Sequence, residues 1–380
     1  MSSLRCKLYR ALARFVKRVF RREASDATFP VAEIWIHAAS AGEAEALVPL
    51  VERSKKEGKR VLFTCFSSSG LRVVESFGGR LSPFEGEWEA ALQQVRPHAF
   101  VTYKYEWWPE LLGALAATKI PLWVLSADVR SSALWGVRGA RFLGAQLPKL
   151  YLGTVHQAGK TRLEEWCQEW KISAEIRIIK DTRWDRLRMR AEQMPSARVK
   201  SLFQEWQKYP RPWRMLAQVW SSDLPLFEST SEVEGTFFLV PHKLQGRDVE
   251  TLQAWVSANR HRVWVGEEGV LFELYSVMDW VYVGGGFEAG VHSTMEPGFW
   301  GIPVVCGPKN AKRFPEIEQL ESEGLLKIVN DAVSFREALL NPPQRRERRK
   351  QGADGDTPVE EVLTWIREEL LIASTPSHVP

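Results

Sequence analysis

The feature that most constrains this chain is a repeated alternation. Short apolar runs rich in β-branched and aromatic residues (Ile34–His37, Arg60–Phe66, Ala99–Tyr103, Leu122–Ser126, Leu150–Val155 and Ile176–Ile179) are separated by segments with helical spacing, such as Ala44–Lys56 and Pro109–Thr118. Strand-length apolar runs that alternate with helices point to a parallel sheet covered by helices on both faces. The alternation breaks at Gln193–Pro212, which reads as a polar, Pro-bounded helix. It resumes with Met215–Val219, Phe237–Pro241, Arg262–Val265, Trp280–Val283 and Pro303–Cys306. The chain therefore reads as α/β, two doubly wound Rossmann-like halves facing a cleft, with ligands expected at the carboxyl ends of the strands. Its 380 residues are too many for one compact core, which agrees with two domains.

The expected division is a first domain over 30–195, a second over 196–340, and a tail over 341–380. That tail joins an exposed linker, Asn-Pro-Pro-Gln-Arg-Arg-Glu-Arg-Arg-Lys-Gln-Gly, to a final helix near Val359–Leu371. Residues 1–29 are different. Leu4, Leu8, Leu12, Phe15 and Val19 recur at helical spacing among Arg5, Lys7, Arg10, Arg14, Lys17, Arg18, Arg21 and Arg22. The continuous apolar core of a signal peptide is missing, and no run reaches the roughly 18–20 apolar residues of a membrane span. The pattern fits a basic amphipathic helix on an anionic membrane surface; the plainer reading is a helix docked on its own domain with a solvated basic face.

Bulk composition excludes little. A net charge of +4 does not by itself indicate nucleic acid. Cys6, Cys65, Cys167 and Cys306 are scattered without a C-x-x-C pair, so reduced cytosolic thiols are expected, not a disulfide framework or a structural zinc. Seventeen tryptophans, spread from Trp35 to Trp365, are expected mainly in core or groove positions with each indole N–H paired.

Four segments could carry chemistry. A strand ending in Ser40-Ala41-Gly42-Glu43 leads directly into a helix, where free N–H groups favour a bound phosphate or the glutamate itself; simple capping by Ser40 or Glu43 is the competing reading. Thr64-Cys65-Phe66-Ser67-Ser68-Ser69-Gly70 repeats that layout with hydroxyls. Tyr103-Lys104-Tyr105-Glu106-Trp107-Trp108-Pro109-Glu110 clusters charges and aromatics at a strand end; this suits sugar rings, or simply starts a helix with Pro109 in its first turn. The most specific segment is the run from Val283 to Pro297. Gly284-Gly285-Gly286 lets a ligand approach backbone closely, and a helix starting near Ser293 presents Glu296 in its first turn, placed to accept ribose hydroxyls. Gly301-Ile-Pro-Val-Val-Cys-Gly-Pro308 follows, completing the layout of a nucleotide-sugar site.

From about Ile34 to Gly324 the chain resembles the family of 3-deoxy-D-manno-octulosonic acid (Kdo) transferases. The resemblance lies in Ser-Ala-Gly-Glu43, Glu106-Trp-Trp-Pro109, Val240-Pro-His-Lys243, the glycine turn through Glu296, and Gly307-Pro308. It implies a two-Rossmann-domain GT-B fold and inverting transfer of Kdo from CMP-Kdo to the lipid A precursor (lipid IVA), in lipopolysaccharide synthesis at the cytoplasmic side of the inner membrane. By this resemblance Glu43 is the catalytic base and Arg183 stabilises the transition state. Pro241, His242, Glu268, Gly269, Val270, Ser293, Thr294, Met295 and Glu296 lie on the CMP-contacting segments.

The chain departs from the family at several positions. Lys104 stands where the family has a second acidic residue and joins Glu43 and Arg183 in the expected catalytic set. Ser126-Ala127-Asp128 replaces Asn-Ala-Arg, Val291 and Ser293 flank His292, and Lys309 replaces a histidine. In the implied mechanism Glu43 takes the proton of an acceptor hydroxyl, burial raises its pKa toward the working pH, and CMP leaves from the opposite face. No Asp-x-Asp signature stands out, so no metal and no cofactor beyond the donor is expected, and no nucleic-acid partner. The alternatives are a GT-B enzyme using another activated sugar, an epimerase, or a relative that binds lipid or nucleotide without turnover.

Overall fold

The computed structural model describes residues 8–9, 28–104, 106–129, 131–193, 195–258, 261–267, 269–288, 290–348 and 357–374. The expected basic helix over 1–29 lies almost wholly outside these residues, as does Glu268. The chain folds as two compact units. One comprises the residues up to Met189 together with the C-terminal helix Pro358–Ser374, and the other is Arg190–Gln351.

Among the described residues of the first unit, a parallel sheet is built from β1 (Ile34–Ala38), β2 (Val61–Cys65), β3 (Arg80–Leu81), β4 (Ala99–Tyr103), β5 (Leu122–Leu125), β6 (Leu150–Thr154) and β7 (Ala174–Ile178). The spatial order is β3-β2-β1-β4-β5-β6-β7. The central strands are buried throughout because each has helices on both sides. Trp35, Phe100, Leu122 and Val124 point into one core, whereas Ile34, Ile36, Val101, Trp123 and Leu125 point into the other. Strand order reverses between β1 and β4, the place where an open α/β sheet forms a crevice at its carboxyl edge.

The C-terminal helix returns to this unit. Val359, Val362, Leu363 and Ile366 are buried in its core, and Trp365 meets Tyr151 edge-on with ring centroids 5.6 Å apart. Asp185 accepts the Val359 N–H at 2.8 Å, and the Tyr151 hydroxyl donates to Glu369 at 2.6 Å.

The second unit repeats the plan with β8 (Trp213–Val219), β9 (Thr236–Pro241), β10 (Arg262–Trp264), β11 (Trp280–Val283), β12 (Val304–Cys306) and β13 (Leu326–Ile328). The order is β10-β9-β8-β11-β12-β13, with its reversal between β8 and β11. The helix expected across Gln193–Pro212 is shorter, Ala197–Trp206. It is capped by Ser196, whose hydroxyl accepts the Val199 N–H, and is preceded by a separate helix Arg183–Glu192. The prolines at 195 and 210 explain its bounds.

One composition-based expectation fails. The buried indole N–H groups of Trp123 and Trp280 have no partner. Trp123 lies flat on Tyr151 at 4.4 Å and Trp280 packs edge-on against Phe335, so at these positions ring packing outweighs pairing of the N–H. Cys65, Cys167 and Cys306 are buried free thiols, as expected.

Candidate active site

The first-unit cluster begins at the end of β1. The chain leaves the sheet at Ala38, turns through Ala39 and Ser40, and enters the helix Ala41–Lys56 with Glu43 in its first turn. Ser40 makes no side-chain cap. Instead the Glu43 carboxylate reaches back and accepts the Ala39 N–H at 2.8 Å. Glu43 therefore closes its own helix start, and this tether fixes a half-buried carboxylate at the carboxyl edge of the sheet. Burial pushes its pKa up to about 7. The Ala39 N–H opposes that shift, the Glu106 charge adds to it, and the Lys104 charge opposes it.

Glu106 follows β4, the neighbour of β1 across the strand-order reversal. It is buried and accepts the Trp108 indole N–H at 2.7 Å, with the His37 Nε2 at 3.2 Å. Behind His37, its Nδ1 lies 3.0 Å from the Thr64 hydroxyl, which accepts the Trp35 indole N–H at 2.8 Å. One assignment satisfies every group: indole to hydroxyl, hydroxyl to Nδ1, and Nε2–H to carboxylate. Through these bonds His37 orients Glu106.

Lys104, the departure from the family pattern, has left-handed backbone (φ +62°) as the chain turns out of β4. Its charge acts on Asp181 as well as on Glu43. Arg183 begins the helix after β7 and is held by Asp181. Its backbone N–H, Nε and Nη2 donate to that carboxylate at 2.9, 3.0 and 2.8 Å, and the Tyr103 hydroxyl donates to the same group. Burial pushes Asp181 up, but Arg183 and then Lys104 outweigh it and leave the carboxyl below its ordinary value. The Arg183 cation is thereby fixed in direction.

In the second unit, residues after β8, β9 and β11 converge. Trp220, His242 and His292 stack, with centroids 4.4 Å apart for Trp220–His242 and 4.3 Å for His242–His292. The Trp220 indole N–H donates to His292 Nε2 at 3.2 Å, so the proton of a neutral His292 sits on Nδ1. Burial, with His242 alongside, pulls the His292 pKa down to about 4. Burial also lowers His242, with Lys243 adding to the effect. Pro241 closes β9.

Of the other expected contact residues, Gly269 (φ +75°) and Val270 follow β10 and lead into the helix Leu271–Tyr275. The helix carrying Glu296 is a short Met295–Phe299, with Ser293 exposed just before it and Met295 buried. Thr294 is buried, and its hydroxyl has no partner. Glu296 accepts from Arg190 at 3.1 Å, and the Arg190 guanidinium also lies 4.3 Å from the Phe272 ring centre. Lys309 donates its ammonium to the Glu288 carbonyl and its N–H to the Gly286 carbonyl at 2.9 Å, which pins the glycine turn.

Residues 9–185 match the family described as 3-deoxy-D-manno-octulosonic-acid transferase (kdotransferase). The 3-deoxy-D-manno-octulosonic acid transferase of Aquifex aeolicus is 23% identical over 314 residues, covering 77% of this chain and 80% of that protein. The enzyme of the same name from Haemophilus influenzae is 26% identical over 368 residues, covering 84% and 82%. The first unit of the chain carries the domain of the Kdo transferase family.

The chain is a glycosyltransferase, and its two parallel α/β units are the GT-B fold expected from the sequence. The same fold appears in the UDP-GlcNAc 2-epimerase of Neisseria meningitidis bound to UDP-GlcNAc. The TM-score is 0.58 at 14% identity, covering 90% of this chain and all of that one, a likeness of fold alone.

The first sheet gathers Glu43, Lys104 and Arg183, because the Lys104 charge acts both on Glu43 and on Asp181, which holds Arg183. Sequence reading singled out the segment of Thr64 but missed the supporting groups His37 and Asp181, and on the other unit Trp220, Arg190 and Asp223. Asp223 is fully buried. It accepts the Trp220 N–H at 3.0 Å, the Gly285 N–H at 3.4 Å and the Tyr282 hydroxyl at 2.9 Å, joining the loop after β8 to the glycine turn after β11. Only the buried position of such an acid, just after a strand, could have flagged it.

Proposed function

We propose that this transferase moves Kdo from CMP-Kdo to a hydroxyl of the lipid A precursor with inversion, and that Glu43 is the base. The observation that carries the reading is Glu43 itself: a tethered carboxylate at the strand-order reversal of a Kdo transferase, with its pKa pushed up to about 7. A carboxylate of ordinary pKa is a weak base at neutral pH, whereas one near 7 combines a useful ionised fraction with a stronger pull on the proton.

In the proposed step, an acceptor hydroxyl gives its proton to Glu43 as its oxygen bonds to the anomeric carbon. The bond from that carbon to the CMP phosphate breaks, and the phosphate keeps the electron pair. Arg183, held in direction by Asp181, and Lys104 supply positive charge to the reacting groups. On the second unit, Pro241, His242, Gly269, Val270 and the stretch Ser293–Glu296 form the nucleotide side. Glu296 is suited to ribose hydroxyls and the unpaired Thr294 hydroxyl to a further polar group.

Glu268 is assigned to the same side by sequence alone. The chemistry is proposed to need no metal. The basic segment before residue 29 is proposed to hold the enzyme against the anionic cytoplasmic face of the inner membrane. Consistent with a segment docked at its start, the Tyr9 hydroxyl donates to Glu85 at 3.0 Å. Among the described residues no helix is long and apolar enough to cross a membrane.

The test is CMP release and lipid product mass for the purified chain with CMP-Kdo and a tetraacylated lipid A precursor, wild type beside Glu43→Ala. Kdo-sized mass gains that vanish in the variant are expected. A folded wild type that transfers nothing would refute the substrate assignment, and transfer that survives Glu43→Ala would refute the base.

A further inference from the structure

Arg190 touches two segments of the nucleotide side at once. Its Nη1 donates to Glu296 at 3.1 Å, and its guanidinium lies 4.3 Å from the centre of the Phe272 ring. Phe272 is buried in the helix Leu271–Tyr275, which Val270 precedes as its cap. Glu296 stands in the first turn of the helix Met295–Phe299. All of these residues belong to the second unit.

The two contacts of Arg190 are joined behind it. The Phe272 ring packs on Phe299 with centroids 5.8 Å apart and on Trp300 at 5.4 Å, and the Trp300 indole N–H donates to the Phe272 carbonyl at 2.9 Å. Phe299 ends the helix that carries Glu296, and Trp300 caps it. The guanidinium therefore rests on a buried ring that is itself fastened to the helix of its carboxylate partner.

We propose that Arg190 is a positioning residue for the donor: it fixes the plane of the Glu296 carboxylate, so that this group meets the ribose hydroxyls and the site prefers a ribonucleotide. The proposal rests on the reading of Glu296 given above. Its physical basis is the freedom of a glutamate. The last torsion of that side chain is broad, so an unheld carboxylate samples many planes. The hydroxyls of one ribose are met together only by a plane that faces them. A guanidinium bonded to one oxygen selects a plane, and its seat on the Phe272 ring keeps it from following the carboxylate. A carboxylate oxygen can accept from an arginine and from a hydroxyl together, so the ion pair does not close the group to the sugar. A lysine in the same place would supply a mobile point charge with no flat face for the ring.

The experiment is calorimetric binding of CMP and of 2′,3′-dideoxy-CMP to the full chain, beside Arg190→Ala and Arg190→Lys. Thermal melts serve as the folding control, and Arg190→Met, which keeps the stem, is the substitute if Arg190→Ala does not fold. The wild type should bind CMP roughly ten- to a hundredfold more tightly than the dideoxy form, the range of hydroxyl bonds to a charged group. Arg190→Ala should weaken CMP by roughly tenfold and leave the dideoxy form within about twofold, so the preference shrinks. Arg190→Lys should fall between the two.

A loss of the same size for both nucleotides would make Arg190 a prop of the fold and overturn the proposal. So would a full preference for CMP kept in Arg190→Ala. A wild type that does not distinguish the two nucleotides would overturn the proposal together with the ribose assignment of Glu296. Binding of CMP is read without acceptor or turnover, so it stands apart from failure of Kdo transfer.

Discussion

The carboxylate of Glu43 is hydrogen-bonded to the backbone N–H of Ala39, four residues earlier and 2.8 Å away. A side chain at a helix start is ordinarily free to sample solvent. This one is held against the end of its own strand, where burial raises its pKa and Glu106 adds to the effect.

A titrating base predicts the pH–rate profile. Glu43 must be ionised to accept a proton, so kcat/KM should rise with pH through about 7 and level off above it. Glu43→Gln should keep the Ala39 bond through its amide oxygen yet lower kcat by about 10²- to 10⁴-fold. Initial rates at saturating donor between pH 5.5 and 8.5 decide this. A profile flat across that range would remove Glu43 as the titrating group.

The same shift predicts stability with the opposite sense. The folded-state pKa lies above the ordinary carboxyl value, so the ionised form is disfavoured by folding. That cost is present above about pH 7 and absent once the group is protonated in both states. Glu43→Gln should therefore melt higher than wild type at pH 8, and the two curves should converge toward pH 4.5. Scanning calorimetry at both pH values tests the sign.

Arg183 and Asp181 should not be separable without cost. Arg183→Ala leaves the buried Asp181 without its main cation and should destabilise the first unit by on the order of 1–3 kcal/mol, besides lowering kcat. Arg183→Lys keeps the charge but loses the forked contact through Nε and Nη2, so its kcat should be intermediate. Equal kcat for the two variants would mean that direction, not charge alone, is what the step requires.

On the second unit, Asp223→Ala should raise the KM for the nucleotide sugar, because the N–H groups of Trp220 and Gly285 lose the acceptor that sets the two loops. Asp223→Asn should largely restore it. Its amide oxygen can take both N–H groups, and its NH₂ can donate to the Tyr282 oxygen. Gly284→Ala should be worse than either. A Cβ there would stand 2.4 Å from the Gln218 carbonyl oxygen and 2.9 Å from Asp223, an overpacking cost of about 1–3 kcal/mol. Steady-state kinetics with a melt of each variant would check the order.

Much of the fold was legible because its signal is local. Runs such as Ile34–His37 and Trp280–Val283 are apolar at consecutive positions, as strands covered on both faces must be. The two-residue β3 and three-residue β13, at the outer edges of their sheets, were not read from the sequence. Glu43 stood out because a strand, a glycine and a helix start are written side by side around it. The partners of that glutamate did not stand out.

From sequence alone came two α/β halves, the strand ends where chemistry belongs, and the acid at the first of them. The tertiary structure alone decided that β1 lies beside β4, which brings Glu106 to His37 and puts Glu106 and Lys104 within charge range of Glu43, and that the ends of β2, β3 and β4 set Phe66, Phe84 and Trp108 in one stack. It likewise returned the last helix to the first unit and paired Arg190 with Glu296. Hydrophobic period is a property of neighbours in the chain. Charge, stacking and hydrogen bonding in a site depend on distance in space, and strand order, which no local pattern encodes, sets that distance.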